Sequence, residues 1–219
     1  MGGLGNRLAT ILSYRAKYGQ IDCVWSHTFQ VGGGRWSDTF EALEGVTFRD
    51  SDAIIHHPGG PKVEDGVTYD NHSCCPVDPQ WYRELRLVPL AWARVYPWYL
   101  DAAIHVRRTD FADLKIAETT DAAFEAWIMA NAPEASRVYI ATDNCKTQRQ
   151  YWDACTSMGR TPKVQALIPM HADLEHDRRA TNMTSAAVDM FSCAKARTFM
   201  GTKGSSFSTT IEILRSLRA

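Results

Sequence analysis

His105, Arg107 and Arg108 stand within four positions of one another, where the apolar run Ala102–Val106 turns polar, and Asp110 follows two residues later. Two neighbouring guanidiniums, one of them held by a carboxylate, have the chemistry of a diphosphate clamp, since each presents a planar fork of donors to phosphate oxygens. Alternation along a strand sends His105 and Arg107 to the same side. The competing interpretation is a structural Arg–Asp pair on a solvated loop. Against it, a histidine inside an apolar strand beside two arginines is costly without a ligand.

Two further stretches have phosphate-binding character. Gly2-Gly3-Leu4-Gly5-Asn6-Arg7-Leu8 directly precedes a helical pattern, so its glycines let backbone N–H groups approach an anion at a helix N-terminus. It is not a P-loop, having no Lys-Ser/Thr after the last glycine, and a plain glycine turn before a helix explains it equally well. Gly201-Thr202-Lys203-Gly204-Ser205-Ser206-Phe207-Ser208 has the same character, with helix capping as its alternative. Asp143, in Tyr139-Ile140-Ala141-Thr142-Asp143-Asn144, reads as the cap of the helix that follows.

These residues need elements to hold them. Leu4, Leu8, Ile11 and Leu12 recur at helical spacing and Gly19 stops the helix; Ile21–Trp25 then reads as a strand. Short strands are predicted at Val46–Phe48 and Ala53–His56, and residues 58–80 show no clear period. The second half alternates cleanly. Strands are predicted at 102–107, 137–141, 163–168 and 198–201, and helices at 121–129 (capped by Asp121), 147–158, 184–196 and 208–217. Such alternation gives a parallel sheet covered on both faces, which binds ligands at the carboxyl ends of its strands. The predicted organisation is a small lobe over residues 1–97 and a Rossmann-like lobe over 98–219.

Composition sets the outer bounds. The 219 residues are 45% hydrophobic and 22% charged, and 24 basic residues against 25 acidic ones give a net charge of −1. This excludes a disordered or collagen-like chain and gives no global signal for nucleic-acid binding. No apolar run approaches the ~20 residues of a membrane span, and no basic-then-apolar leader opens the sequence. None of the six cysteines forms a CxxC pair, so they read as reduced thiols, and a soluble cytoplasmic protein is expected. Asp50-Ser51-Asp52 spells the DxD of metal-dependent glycosyltransferases, a spelling that chance also supplies. His56-His57 and His171/His176 lack the geometry of a metal site. The tryptophans between Trp81 and Trp98 suit either the core or a sugar-stacking platform.

In order and wording, the glycine stretch, the His105–Asp110 block, the 139–144 block and the Asp189…Ser205-Ser206-Phe207-Ser208 ending resemble the GDP-fucose-dependent fucosyltransferases. The superfamily includes α1,2-, α1,6- and protein O-fucosyltransferases. The likeness covers the first fifteen residues and most of 102–215; residues 20–100 carry none. It implies an α/β, type-B glycosyltransferase fold of two Rossmann-like lobes, the N-terminal one reduced, with a GDP-sugar donor, a glycan or other hydroxyl acceptor and no metal. By residue-wise matching, Arg107 would hold the β-phosphate, His105 would contact the donor and Arg108 would support the diphosphate. Asp189 would read the guanine edge, Ser205, Ser206 and Phe207 would surround the phosphates, and Gly3, Gly5 and Asn6 would face the donor from the first lobe. Asp113 and Glu118 are candidate general bases for the acceptor hydroxyl. Family members have a strand ahead of the glycine stretch and a larger acceptor lobe, and Golgi members carry a membrane anchor. Lacking these, the chain is expected to be a bacterial or viral-type soluble enzyme. A non-catalytic nucleotide- or glycan-binding protein and a metal-dependent type-A enzyme using Asp50 and Asp52 are the alternatives.

Overall fold

The first helix forms because Leu4, Leu8, Ile11 and Leu12 fall on one stripe that is buried against the rest of the molecule. In the computed structural model, which describes residues 3–26, 33–51, 62–64, 67–69, 76–108, 119–166 and 181–218, it spans Leu4–Tyr18 (α1). Gly19, at φ 78°, ends it by donating its N–H to Arg15 O, a conformation glycine adopts at little cost. Strand β1 (Ile21–Ser26) follows and pairs in parallel with β2 (Val46–Ser51), Ile21 opposite Val46. An antiparallel pair, β3 (Lys62–Glu64) and β4 (Val67–Tyr69), lies within the stretch where no period was legible, because three-residue strands are too short to show alternation. Pro79–Glu84 forms a 3₁₀ turn capped by Asp78, and Pro89–Trp92 a single helical turn (α2).

The second lobe is built on four parallel strands, β5 (Ala102–Val106), β6 (Arg137–Thr142), β7 (Thr161–Lys163) and β8 (Thr198–Gly201), in the order β7-β6-β5-β8. They alternate with α3 (Asp121–Asn131), α4 (Cys145–Ser157), α5 (Met183–Lys195) and α6 (Ser206–Ser216). Strand parity divides the apolar side chains between two cores. Ala103, Tyr139 and Ala141 face α1, α5 and α6, whereas Ala102, Ile104, Val106, Val138 and Ile140 face α3 and α4. The first core also takes Trp25, Trp36, Phe40, Leu85 and Leu100, so it runs continuously from the first lobe into the second.

Several boundaries differ from expectation. Helix α3 is capped by Thr120, whose hydroxyl accepts from Ala123 N, and Asp121 is its first residue. Helix α4 is capped by Asn144, which accepts from Thr147 N, so Asp143 is released from that role. Strand β7 ends at Lys163 where a strand was expected to begin; it contains Pro162, which an edge strand tolerates. Helix α6 starts at Ser206, two residues early, which brings Ser206 and Phe207 into its first turn. The expected strand 53–56 and Asp52, Asp110, Asp113, Glu118, His56, His57, His171 and His176 lie outside the described residues.

Candidate functional site

The chain runs outward from β5 through β6 to β7, then returns to lay β8 on the other side of β5. The connections leaving β5 and β8 therefore diverge, and a crevice opens at the carboxyl ends of these strands, where open α/β sheets bind ligands. The crevice encloses about 690 Å³ of empty space, part of it open to solvent.

Three helices point their N-termini into it. Gly3 and Leu4 come from the start of α1, Asn182 and Met183 from the start of α5, and Ser206 and Phe207 from the start of α6. The starts of α1 and α6 carry no side-chain cap, whereas at α5 Met183 N donates to Gly33 O and Ser185 N to Asn182 Oδ1; all three bring the positive end of a helix dipole. Arg107, just past β5, and Arg7, one turn into α1, line the same cleft. Fixed positive charge thus gathers around the cleft.

The β5 end is firmly held. Thr202 Oγ1 accepts from Arg107 N at 3.0 Å and donates to His105 O at 3.1 Å, fixing the backbone from which the Arg107 side chain departs. The His105 ring is buried, 4.5 Å from the Phe207 ring, and its Nδ1 pairs with Ser208 Oγ at 2.8 Å. Burial, reinforced by the Arg107 charge, lowers its pKa to about 3, so it is a neutral imidazole at physiological pH. With Nδ1 engaged, Nε2 is the atom His105 can offer to the cleft.

Asp189, on the same face of α5 as Asn182 and Ala186, brings a carboxyl group to the lining. Tyr139, reaching up from β6, donates its hydroxyl to Asp189 Oδ1 at 2.7 Å. Burial raises Asp189 to about pKa 7, although Tyr139 and Arg94 both favour its charged form. Oδ2 is then the oxygen left to accept from a ligand. The β6 end contributes Thr142 and Asp143 to the lining.

Not every expected residue comes to the cleft. Among the described lining residues are Gly3, His105, Arg107, Asp189, Ser206 and Phe207. Gly5 and Asn6 belong to the first turn of α1 and not to a loop. A Cβ on Gly5 would lie 2.6 Å from Ser206 C and O, so this glycine lets α1 approach the start of α6. Ser205 is fully buried beneath the first turn of α6. Arg108 is tied to the sheet's other side: its guanidinium meets Asp121 Oδ1 at 2.5 Å and reaches Thr119 O. Asp121 also accepts from Tyr151 and Gln150; burial works against its charge, but these bonds and Arg108 outweigh it and lower its pKa. For Arg108, the structural Arg–Asp pair is thus realised, with Asp121 as the partner.

Arg7 escaped the sequence reading, although its signal was present. It stands four residues after Gly3, hence on the same helical face. Its guanidinium lies 4.6 Å from the centroid of the Trp25 ring, so an indole of the first lobe orients it. Asp50, on β2, has its carboxylate 3.6 Å from Arg35 Nε. Among the described residues no group of three His, Cys, Asp or Glu side chains is placed to hold a metal, and no helix is long and apolar enough to cross a membrane.

A parallel strand pair beside α1, a four-stranded parallel sheet wound both ways from β5 and a cleft at its carboxyl ends correspond to the type-B glycosyltransferase fold, in a fucosyltransferase-like form. Among solved structures, the chain is similar to NodZ α-1,6-fucosyltransferase, in crystals soaked with GDP-fucose. The TM-score is 0.56 at 16% identity, covering 97% of this chain and 89% of that one. No protein-family model and no curated protein sequence matches. The likeness is one of fold.

Proposed function

We propose that this protein is a glycosyltransferase that moves a sugar, most simply L-fucose, from a GDP-sugar to a glycan or other hydroxyl acceptor. One observation carries the reading: three helix N-termini, Arg7 and Arg107 line one cleft together with Asp189. Diphosphate and guanine present complementary groups, the first anionic and the second offering N1–H and an exocyclic amine to a carboxylate. The neighbouring fold of a fucosyltransferase studied with GDP-fucose supports it. The division into a 1–97 acceptor-side lobe and a 98–219 donor lobe is part of the proposal.

In the reaction, the bond between sugar C1 and the β-phosphate oxygen breaks and its electron pair stays on that oxygen. The acceptor oxygen bonds to C1, and its proton passes to a carboxylate base, for which Asp113 and Glu118 are candidates. Arg107 and Arg7, with the start of α6, stabilise the charge that builds on the leaving diphosphate. Neutral His105 holds a polar contact at Nε2 without adding charge. No metal cofactor takes part, since the two guanidiniums fill the cation's role.

The test is a thermal-shift series with GDP, UDP and ADP, followed by turnover of GDP-fucose with and without acceptors. A clear shift with GDP alone and release of GDP from the sugar nucleotide support the proposal. Equal shifts from all three nucleotides would remove the guanine assignment. Binding without any turnover would leave a nucleotide-binding protein.

A further inference from the structure

Residues 85–99, Leu-Arg-Leu-Val-Pro-Leu-Ala-Trp-Ala-Arg-Val-Tyr-Pro-Trp-Tyr, contain two arginines and no acid. This stretch displays four of the molecule's large exposed apolar side chains: Leu90 is 84% exposed, Trp98 65%, Tyr99 60% and Trp92 47%. Side chains of this size at such exposure, crowded into ten positions, mark an interaction surface.

The crest is rigidly mounted. It packs along α5 through Arg94 Nη2 on Ser185 Oγ, Trp92 edge-on to Phe191 and Tyr96 N on Ser192 Oγ. Cations lie within it and against its backbone. Arg86 and Arg94 are exposed within it; Arg137 donates to Tyr99 O, Lys195 to Tyr96 O, and the Arg197 backbone N–H to Leu100 O. Of the nearby acids, Glu84 is paired with Arg15, Asp101 accepts from Arg137 N, and exposed Glu41 donates its backbone N–H to Arg86 O, so cations still outnumber acids here.

We propose that this crest docks the protein on the surface of an anionic phospholipid bilayer. Indole and phenol rings seat at the boundary between headgroups and acyl chains, with one apolar and one polar end. Leu90 enters the acyl region, and the surrounding arginines meet lipid phosphates. Leucine settles the choice against a glycan platform, since it offers a sugar neither a stacking face nor a hydrogen bond. The cations also act here as diffuse charge, not as a shaped pocket: several of their donors are already given to backbone carbonyls, as Arg197 Nη2 is to Asn131 O. That suits a laterally fluid anionic surface better than an acidic protein with fixed carboxylates. Because α5 carries the crest along its flank and opens its first turn on the cleft, the bilayer and the cleft are joined by one helix.

The experiment is co-sedimentation of the whole chain with vesicles of phosphatidylcholine alone and of phosphatidylcholine with phosphatidylserine at about 7:3, at low and high salt. Wild type should bind the mixed vesicles, ignore the neutral ones and release in high salt. Leu90→Ser/Trp98→Ser/Tyr99→Ser should lose about tenfold or more in partitioning, on the scale expected for removing three interfacial anchors. Its melting temperature should match wild type, because the replaced groups are exposed. Arg86→Glu/Arg137→Glu should lose the preference for phosphatidylserine while keeping the crest. No binding to mixed vesicles, or equal binding by the triple variant, overturns the proposal. So does light scattering that finds a wild-type dimer dissolved by the triple variant, which would make the crest a contact between copies of this chain.

Discussion

Gly201 and Ser208 are in closest contact: a Cβ on Gly201 would overlap Ser208 Cβ and Oγ. The glycine at the end of β8 thereby lets the Ser208 hydroxyl reach His105 Nδ1. Gly201→Ala should push the serine aside and leave a buried ring nitrogen unpaired, at a cost of about 1–3 kcal/mol. For a chain of this size that corresponds to a melting temperature lower by several degrees, roughly 2–4 °C per kcal/mol. Adding Ser208→Gly should recover the packing but not the hydrogen bond. A Gly201→Ala variant with an unchanged melting curve would contradict this linkage.

Asp189 carries a pH signature. Its pKa rises to about 7 in the folded protein from an ordinary 3.8, so its contribution to stability is full below about pH 4 and is lost as pH climbs through 7. Asp189→Asn keeps an acceptor for Tyr139 and removes the buried charge. The variant should therefore melt above wild type at pH 8, with the gap closing towards pH 4. Parallel melting curves across that window would refute the assignment.

The same group should set the pH dependence of guanine nucleotide binding. Under the proposed function the carboxylate form accepts from guanine, so GDP affinity in wild type should weaken as pH falls below about 7, by up to about tenfold per pH unit. Calorimetric titrations between pH 5.5 and 8 report it. In Asp189→Asn the affinity should be weaker and flat.

Arg107 and Arg108 are neighbours with separable roles. Arg107→Lys keeps charge but loses the two-point fork, and sugar transfer should fall by about 10²–10³ with the fold intact. Arg108→Ala should do the reverse. It breaks the pair with Asp121, whose side chain is 44% exposed, so the stability loss is on the order of 1 kcal/mol and GDP affinity stays near wild type. If Arg108→Ala abolishes nucleotide binding at normal stability, the arrangement described for it is wrong.

Under the proposed mechanism, excess EDTA should leave transfer unchanged. Activity that disappears in EDTA and returns with manganese would point instead to a metal on the diphosphate.

The second lobe was the more legible half for a physical reason. Strands such as Ala102–Val106, buried on both faces, read as apolar runs interrupted only by His105, and each is followed by a helix with its own start signal. Caps slipped by one because capping residues sit side by side, Thr120 with Asp121 and Asp143 with Asn144, and only backbone geometry chooses between them. The site was legible where its residues cluster in sequence, as at His105 and Arg107. It was illegible where partners are distant: Tyr139 with Asp189, Arg7 over Trp25, and Arg108 with Asp121 all depend on packing that brings separate elements together.

Gly5 and Ser206 touch although some two hundred residues separate them. Contacts so remote in sequence are among the slowest to form, because a long loop must close before they are rewarded. Arg7 and Phe207, facing the same cleft from these two helices, come together only when that closure is complete. The cleft is therefore complete only once the two ends of the chain have met, so its lining depends on one of the longest-range contacts in the fold.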